Sequence, residues 1–150
     1  MQTQEKKTIY LLRLRPQVDV EKKLITVETE LVSTDVDYSQ DDNSVLDFYY
    51  KHTECDCIDI VSFGGLYNPK GFTVVCDDEG LLKSGNAVMK YTLPIDNVPY
   101  ELDLSGSILI GKSDTIKGRE LDGLFEVGLT MDEIEYIQDN LHIEFLGLTH

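Results

Sequence analysis

A chain of 150 residues is close to the commonest domain size, and its 41% hydrophobic and 27% charged residues are enough for one core, which excludes wholesale disorder and a division into two domains. Thirteen basic residues stand against 28 acidic ones, a formal charge of −15 that disfavours general binding to phosphate backbones or anionic membranes. No signal peptide and no run of about 18 uncharged apolar residues is found, and an odd number of cysteines fits a reducing compartment, so a cytoplasmic protein with free thiols is expected.

The charge is uneven. Residues 1–30 hold six basic and five acidic residues, leaving seven basic against 23 acidic, or −16, in residues 31–150. Residues 8–15 are rich in strand formers and end in Leu-Arg-Leu-Arg before Pro16, so they read as a strand with one wet face, closed by a turn. In residues 24–32, Ile25, Val27, Thr29 and Leu31 alternate with Thr26, Glu28 and Glu30, the period of a half-buried antiparallel strand. Together the two predict an N-terminal hairpin over residues 1–34. Residues 35–43 are polar and acidic, with Val36 and Tyr38 as apolar anchors, and read as an exposed loop.

A helix is predicted from Ser44, where Ser44 and Asp47 have the spacing that caps a first turn. Ile58–Phe63 and Phe72–Cys76 then predict a second hairpin around the turn chemistry of Gly64-Gly65 and Asn68-Pro69-Lys70-Gly71. Asp77-Asp78-Glu79-Gly80 reads as an exposed hairpin end, and the period over residues 86–93 decides nothing. A strand is predicted over Ser107–Ile110. The clearest element comes last: Thr130 and Glu133 form a capping box, and Met131, Ile134, Ile137 and Leu141 recur along one helical face that should pack on a sheet. The whole predicts an α+β fold, an antiparallel sheet built from hairpins with two helices packed on it.

The order of features from residue 44 to 141 resembles a small domain family of unknown function associated with phages and plasmids of gut bacteria. The resemblance rests on a short helix before Cys57-Ile58-Asp59-Ile60-Val61, then on Val74-Val75-Cys76-Asp77-Asp78-Glu79-Gly80-Leu81-Leu82 and an isolated Asn86. Ser105-Gly106-Ser107-Ile108-Leu109-Ile110-Gly111 and Gly128-Leu129-Thr130-Met131-Asp132-Glu133-Ile134 complete it. Where the family carries a glycine pair before its first strand, this chain has Glu54-Cys55-Asp56, and residues 1–43 have no counterpart. The resemblance implies a non-essential accessory protein of a mobile element and supplies no catalytic residue.

Motifs for chemistry are weak. Cys55, Cys57 and Cys76 with His52 offer soft ligands, but C-x-C is tighter than the usual zinc spacing, so no metal is expected. Asp35, Asp37, Asp41 and Asp42 lack the glycine and closing glutamate of a calcium loop, and Asp77, Asp78 and Glu79 sit in an ordinary acidic turn. There is no phosphate-binding glycine loop, and His52, His142 and His150 stand beside no nucleophile signature, so neither a cofactor nor an enzymatic centre is expected. The tyrosines at 49, 50, 67, 91, 100 and 136 read as core and rim, since a base-stacking platform needs interleaved basic residues. The one feature leaning toward function is the acidic surface, with Asp35, Asp37, Asp41, Asp42, Asp77, Asp78 and Glu79 as its candidate contact residues. Its partner would be a basic, nucleic-acid-handling protein, with no direct contact to nucleic acid or membrane. An accessory interaction protein is the leading reading; an acidic mimic of DNA acting as an inhibitor in anti-defence, and a small-molecule-binding domain, are the alternatives.

Overall fold

In the computed structural model, which describes residues 6–39, 44–83, 85–116, 118–119, 121 and 123–149, the N-terminal hairpin is longer than its sequence pattern. Strands β1 (Lys6–Asp19) and β2 (Leu24–Asp37) pair from Lys6 with Asp37 to Asp19 with Leu24. Pro16 therefore lies inside a strand and does not close it. Strand β7 (Ile108–Gly111) pairs with β1 only over Leu12–Leu14, so the second flank of β1 at Pro16 needs no donor. Nor is one face of β1 wet: Ile9 and Leu11 are buried on one side and Leu12 and Leu14 on the other, as befits a central strand covered on both faces. Residues 35–37, expected in a loop, continue β2 opposite Thr8–Lys6. Val36 and Tyr38 are buried, as their role as anchors requires.

Helix α1 (Ser44–Thr53) starts where the sequence places it, although the Ser44 side chain lies outside the described residues. Its buried Phe48 and Tyr49 pack with Ile9, Leu11, Val32, Val75 and Leu109. Ile25 and Val27 keep their expected face and pack partly on the larger core, whereas Val32, on the opposite face, is buried under α1 and Leu31 is half exposed. Past the helix, the Glu54 carboxylate holds Arg13 at 2.7 Å and Arg15 at 3.4 Å, tying α1 to the hairpin.

The second hairpin forms as predicted, β3 (Ile58–Phe63) against β4 (Phe72–Asp77), with Phe63 opposite Phe72. Strand β7, buried at all four residues, then fills the gap between β1 and β4 and completes a five-stranded antiparallel sheet in the order β2-β1-β7-β4-β3.

After β4 the chain leaves this sheet through a 3-10 turn at Gly80–Leu82, so Asp77-Asp78-Glu79 is a crossover and not a hairpin end. It enters a second sheet of β5 (Ala87–Ile95), β6 (Val98–Ser105) and β10 (His142–Leu148), in the order β10-β5-β6. Asp96 and Asn97 make the β5–β6 turn with φ of 52° and 65°, the left-handed pair of the tight hairpin turn that matches strand twist. Met89, Tyr91, Leu93 and Ile95 of β5 face Leu12, Leu14, Phe72, Val74, Ile108 and Ile110 in the larger of two cores. Helix α2 (Met131–Asn140) closes that core with Ile134 and Ile137, and Leu141 packs partly against it, whereas Met131 is 72% exposed and points away. A two-stranded ribbon of β8 (Ser113–Asp114) and β9 (Phe125–Glu126) completes an α+β fold dominated by antiparallel sheet. No helix of the described residues is long and apolar enough to cross a membrane.

Candidate functional site

Four features carry polar chemistry, and three of them serve the fold. The first is Glu126, buried in β9. Its Oε1 accepts from the Tyr49 hydroxyl at 2.8 Å, and its Oε2 accepts from the backbone N–H groups of Lys112 at 2.8 Å and Gly128 at 3.0 Å. Burial raises its pKa despite these three donors, and the same burial, with the Glu126 charge nearby, pushes Tyr38 up to about 12. Gly111 leaves the space the carboxylate occupies, since a Cβ there would stand 2.5 Å from Oε2. A perturbed carboxyl is often a functional group. Here every donor comes from the fold, and the clefts around Tyr136, along the α2–β1 groove and at the hairpin tip are lined by other residues. Sequence reasoning missed Glu126, because a single glutamate between Phe125 and Val127 carries no signal of burial.

The three thiols have separate contacts. Cys55 lies 3.1 Å from the Thr53 hydroxyl, Cys57 is exposed with Asp78 at 3.8 Å, and buried Cys76 donates to the Asp59 carbonyl at 3.6 Å. Burial, with Asp59 and Asp77 beside it, pushes the Cys76 thiol up to about 12. His52 lies over the Phe48 ring at 4.5 Å, and among the described residues no three His, Cys, Asp or Glu side chains converge as metal ligands.

The third feature is the set of acids singled out from the sequence, which the structure does not bring together. Asp35 accepts from Thr8 at 2.6 Å, and Asp37 accepts from Ser39, whose hydrogen bonds lower its pKa. Asp77 binds Lys83 at 2.6 Å with its own side chain 7% exposed, and Glu79 donates its N–H to Asp77. Asp41, Asp42 and His150 lie outside the described residues. Across the register, Val75, Leu109 and Arg13 are level, so Asp77 is level with Arg15, while Asp37 faces Lys6. Nine residue steps of about 3.3 Å separate the two groups, roughly 30 Å along the sheet.

A denser set of exposed acids stands on another layer. From Lys6 to Asp37, six basic residues balance six acidic ones, and cross-strand neighbours such as Arg13 and Glu30, 3.3 Å apart, neutralise one another. The layer made by β5, its turn, β6, α2 and β10 instead holds Asp96, Glu101, Asp103, Asp132, Glu133, Glu135, Asp139 and Glu144 against Lys90 alone. All eight except Glu133 are exposed. Alternation places them: Tyr100, Leu102 and Leu104 pack on the core while Glu101 and Asp103 face out. Lys90 stands opposite both Asp103 and Glu144, and Thr92 stands opposite Glu101 and His142. The sequence holds these acids, but only the pairing of β5 with β6 and β10 brings Glu101, Asp103 and Glu144 to one face.

At one margin of this layer is a cleft of about 280 Å³ between α2 and the β5–β6 turn, lined by Lys70, Phe72, Ile95, Asp96, Asp132, Glu133 and Tyr136. The Tyr136 hydroxyl donates to the Pro94 carbonyl, fixing the ring, and Lys112 lies 4.8 Å from the Phe72 centroid. No protein-family model, curated protein or solved structure matches this chain.

Proposed function

We propose that this protein is a non-enzymatic interaction protein that holds a basic, nucleic-acid-handling partner on the outer layer formed by β5, β6, β10 and α2. One observation carries the reading: the charge is segregated, with a neutral hairpin and an exposed layer holding eight carboxylates against one lysine. Such a layer steers a basic partner at encounter and opposes phosphate backbones. A setting as a cytoplasmic accessory of a phage or plasmid accords with the resemblance over residues 44–141 and with the exposed thiol of Cys57.

Inhibition by imitation of DNA charge is a second reading of the same face, favoured by the row Glu144, Lys90, Asp103 running across three strands. Retrieval of partners from lysate with wild-type protein and with Glu101→Gln/Asp103→Gln/Glu144→Gln tests the proposal. Basic proteins retained by the first and lost by the second support it. Partners retained equally by both refute it.

A further inference from the structure

We infer that the cleft between α2 and the β5–β6 turn seats an arginine side chain of the basic partner, and this rests on the reading of the outer layer given above. A volume of about 280 Å³ lies at the bottom of the range for ligand pockets, roughly 300–1,000 Å³, which suits one long side chain better than a larger molecule. Its walls match the two parts of that side chain. Phe72 and Ile95, each 6% exposed, with the Tyr136 ring give an apolar bed for a hydrocarbon stem.

Three carboxylates stand around this bed against Lys70. Two are committed: Asp96 pairs with Lys70 at 3.1 Å, and Glu133 accepts from the Thr130 N–H at 2.8 Å with Lys112 at 3.6 Å from its other oxygen. Asp132 is exposed on the first turn of α2 and forms none of the ion pairs found among the described residues. It is the carboxylate left to receive a guanidinium, whose flat fork can take both carboxylate oxygens and lie against the pinned tyrosine ring. The half-exposed ring of Tyr136, 39% accessible, is open on the side that such stacking needs.

The test is a nuclear magnetic resonance titration with N-acetyl-arginine methylamide, with the norleucine analogue supplying the stem without the charge. Shifts confined to Lys70, Ile95, Asp96, Asp132 and Tyr136 are expected with the arginine compound only. Asp132→Asn should weaken its binding about two- to fivefold, the range of an exposed ion pair. Lys70→Ala, which removes the competing cation and frees Asp96, should strengthen it by a similar factor, an increase that misfolding cannot produce. Equal binding of the norleucine compound, or an affinity unmoved by both substitutions, overturns the inference. The outer-layer reading is judged separately by Glu101→Gln/Asp103→Gln/Glu144→Gln against an oligo-arginine peptide, because those residues do not line the cleft.

Discussion

The Tyr49 hydroxyl, on α1, donates to the Glu126 carboxylate, on β9, over 2.8 Å between residues 77 apart in the chain. That bond pins the helix to the ribbon, and the other oxygen of the carboxylate satisfies the N–H groups of Lys112 and Gly128. Glu126→Ala would leave these three donors unpaired in a dry site. A loss of roughly 2–5 kcal/mol is expected, read from chemical denaturation. Glu126→Gln can keep Oε1 on the two N–H groups and turn its amide to the Tyr49 oxygen, so it should cost much less; equal losses in the two variants would refute the account.

The same carboxyl makes a prediction about pH. Burial raises its pKa, so the folded protein binds this proton more tightly than the open chain does. The contribution of Glu126 to stability is therefore greatest below the ordinary carboxylate value and declines as pH rises through the raised one. Comparing wild type with Glu126→Gln across that range isolates the effect. The stability difference between them should shift in favour of the glutamine variant as pH rises, and a difference independent of pH would contradict it.

Helix α2 offers a local test. The Thr130 hydroxyl accepts from the Glu133 N–H at 3.2 Å while the Glu133 carboxylate accepts from the Thr130 N–H at 2.8 Å, a complete capping box. Thr130→Ala should cost on the order of 1 kcal/mol. An unchanged melting temperature would count against the cap as a source of stability.

The thiols should separate by rate. Cys57 is exposed, whereas Cys55 and Cys76 are buried and Cys76 is pushed up to about 12, so little of its thiolate forms near neutrality. A thiol reagent applied to folded protein should modify Cys57 first, with Cys55 and Cys76 following on denaturation. Peptide mapping that finds Cys76 labelled as fast as Cys57 would overturn the assignment.

These elements differ in how well their sequences foretell them. The cap of α2 is legible because Thr130 and Glu133 are chain neighbours, and β3 and β4 are legible because turn residues bracket two short apolar runs. The β5–β6 hairpin is not legible because the period over residues 86–93 decides nothing and Pro94 and Pro99 are residues uncommon inside strands. They stand opposite each other beside the Asp96-Asn97 turn, and β6 is an edge strand that tolerates a proline. Strand β10 starts two residues after α2 ends, too close for the period to reveal the change. The candidate acids stand in acidic loops and turns that the sequence displays directly, whereas Glu101, Asp103 and Glu144 come from two strands and meet only through β5. Long-range pairing decides which charges share a face, and one sequence does not display it.

The most direct test of the central claim is the affinity for an oligo-arginine peptide at low and high salt, measured by calorimetry for three proteins: wild type, Glu101→Gln/Asp103→Gln/Glu144→Gln, and Asp35→Asn/Asp37→Asn. Exposed charges act over a Debye length of about 10 Å at 0.1 M. The account predicts binding that weakens with salt, falls clearly in the outer-layer variant and changes little in the hairpin variant, whose carboxylates face Thr8 and Lys6. Equal losses in the two variants, or binding that ignores salt, would contradict it.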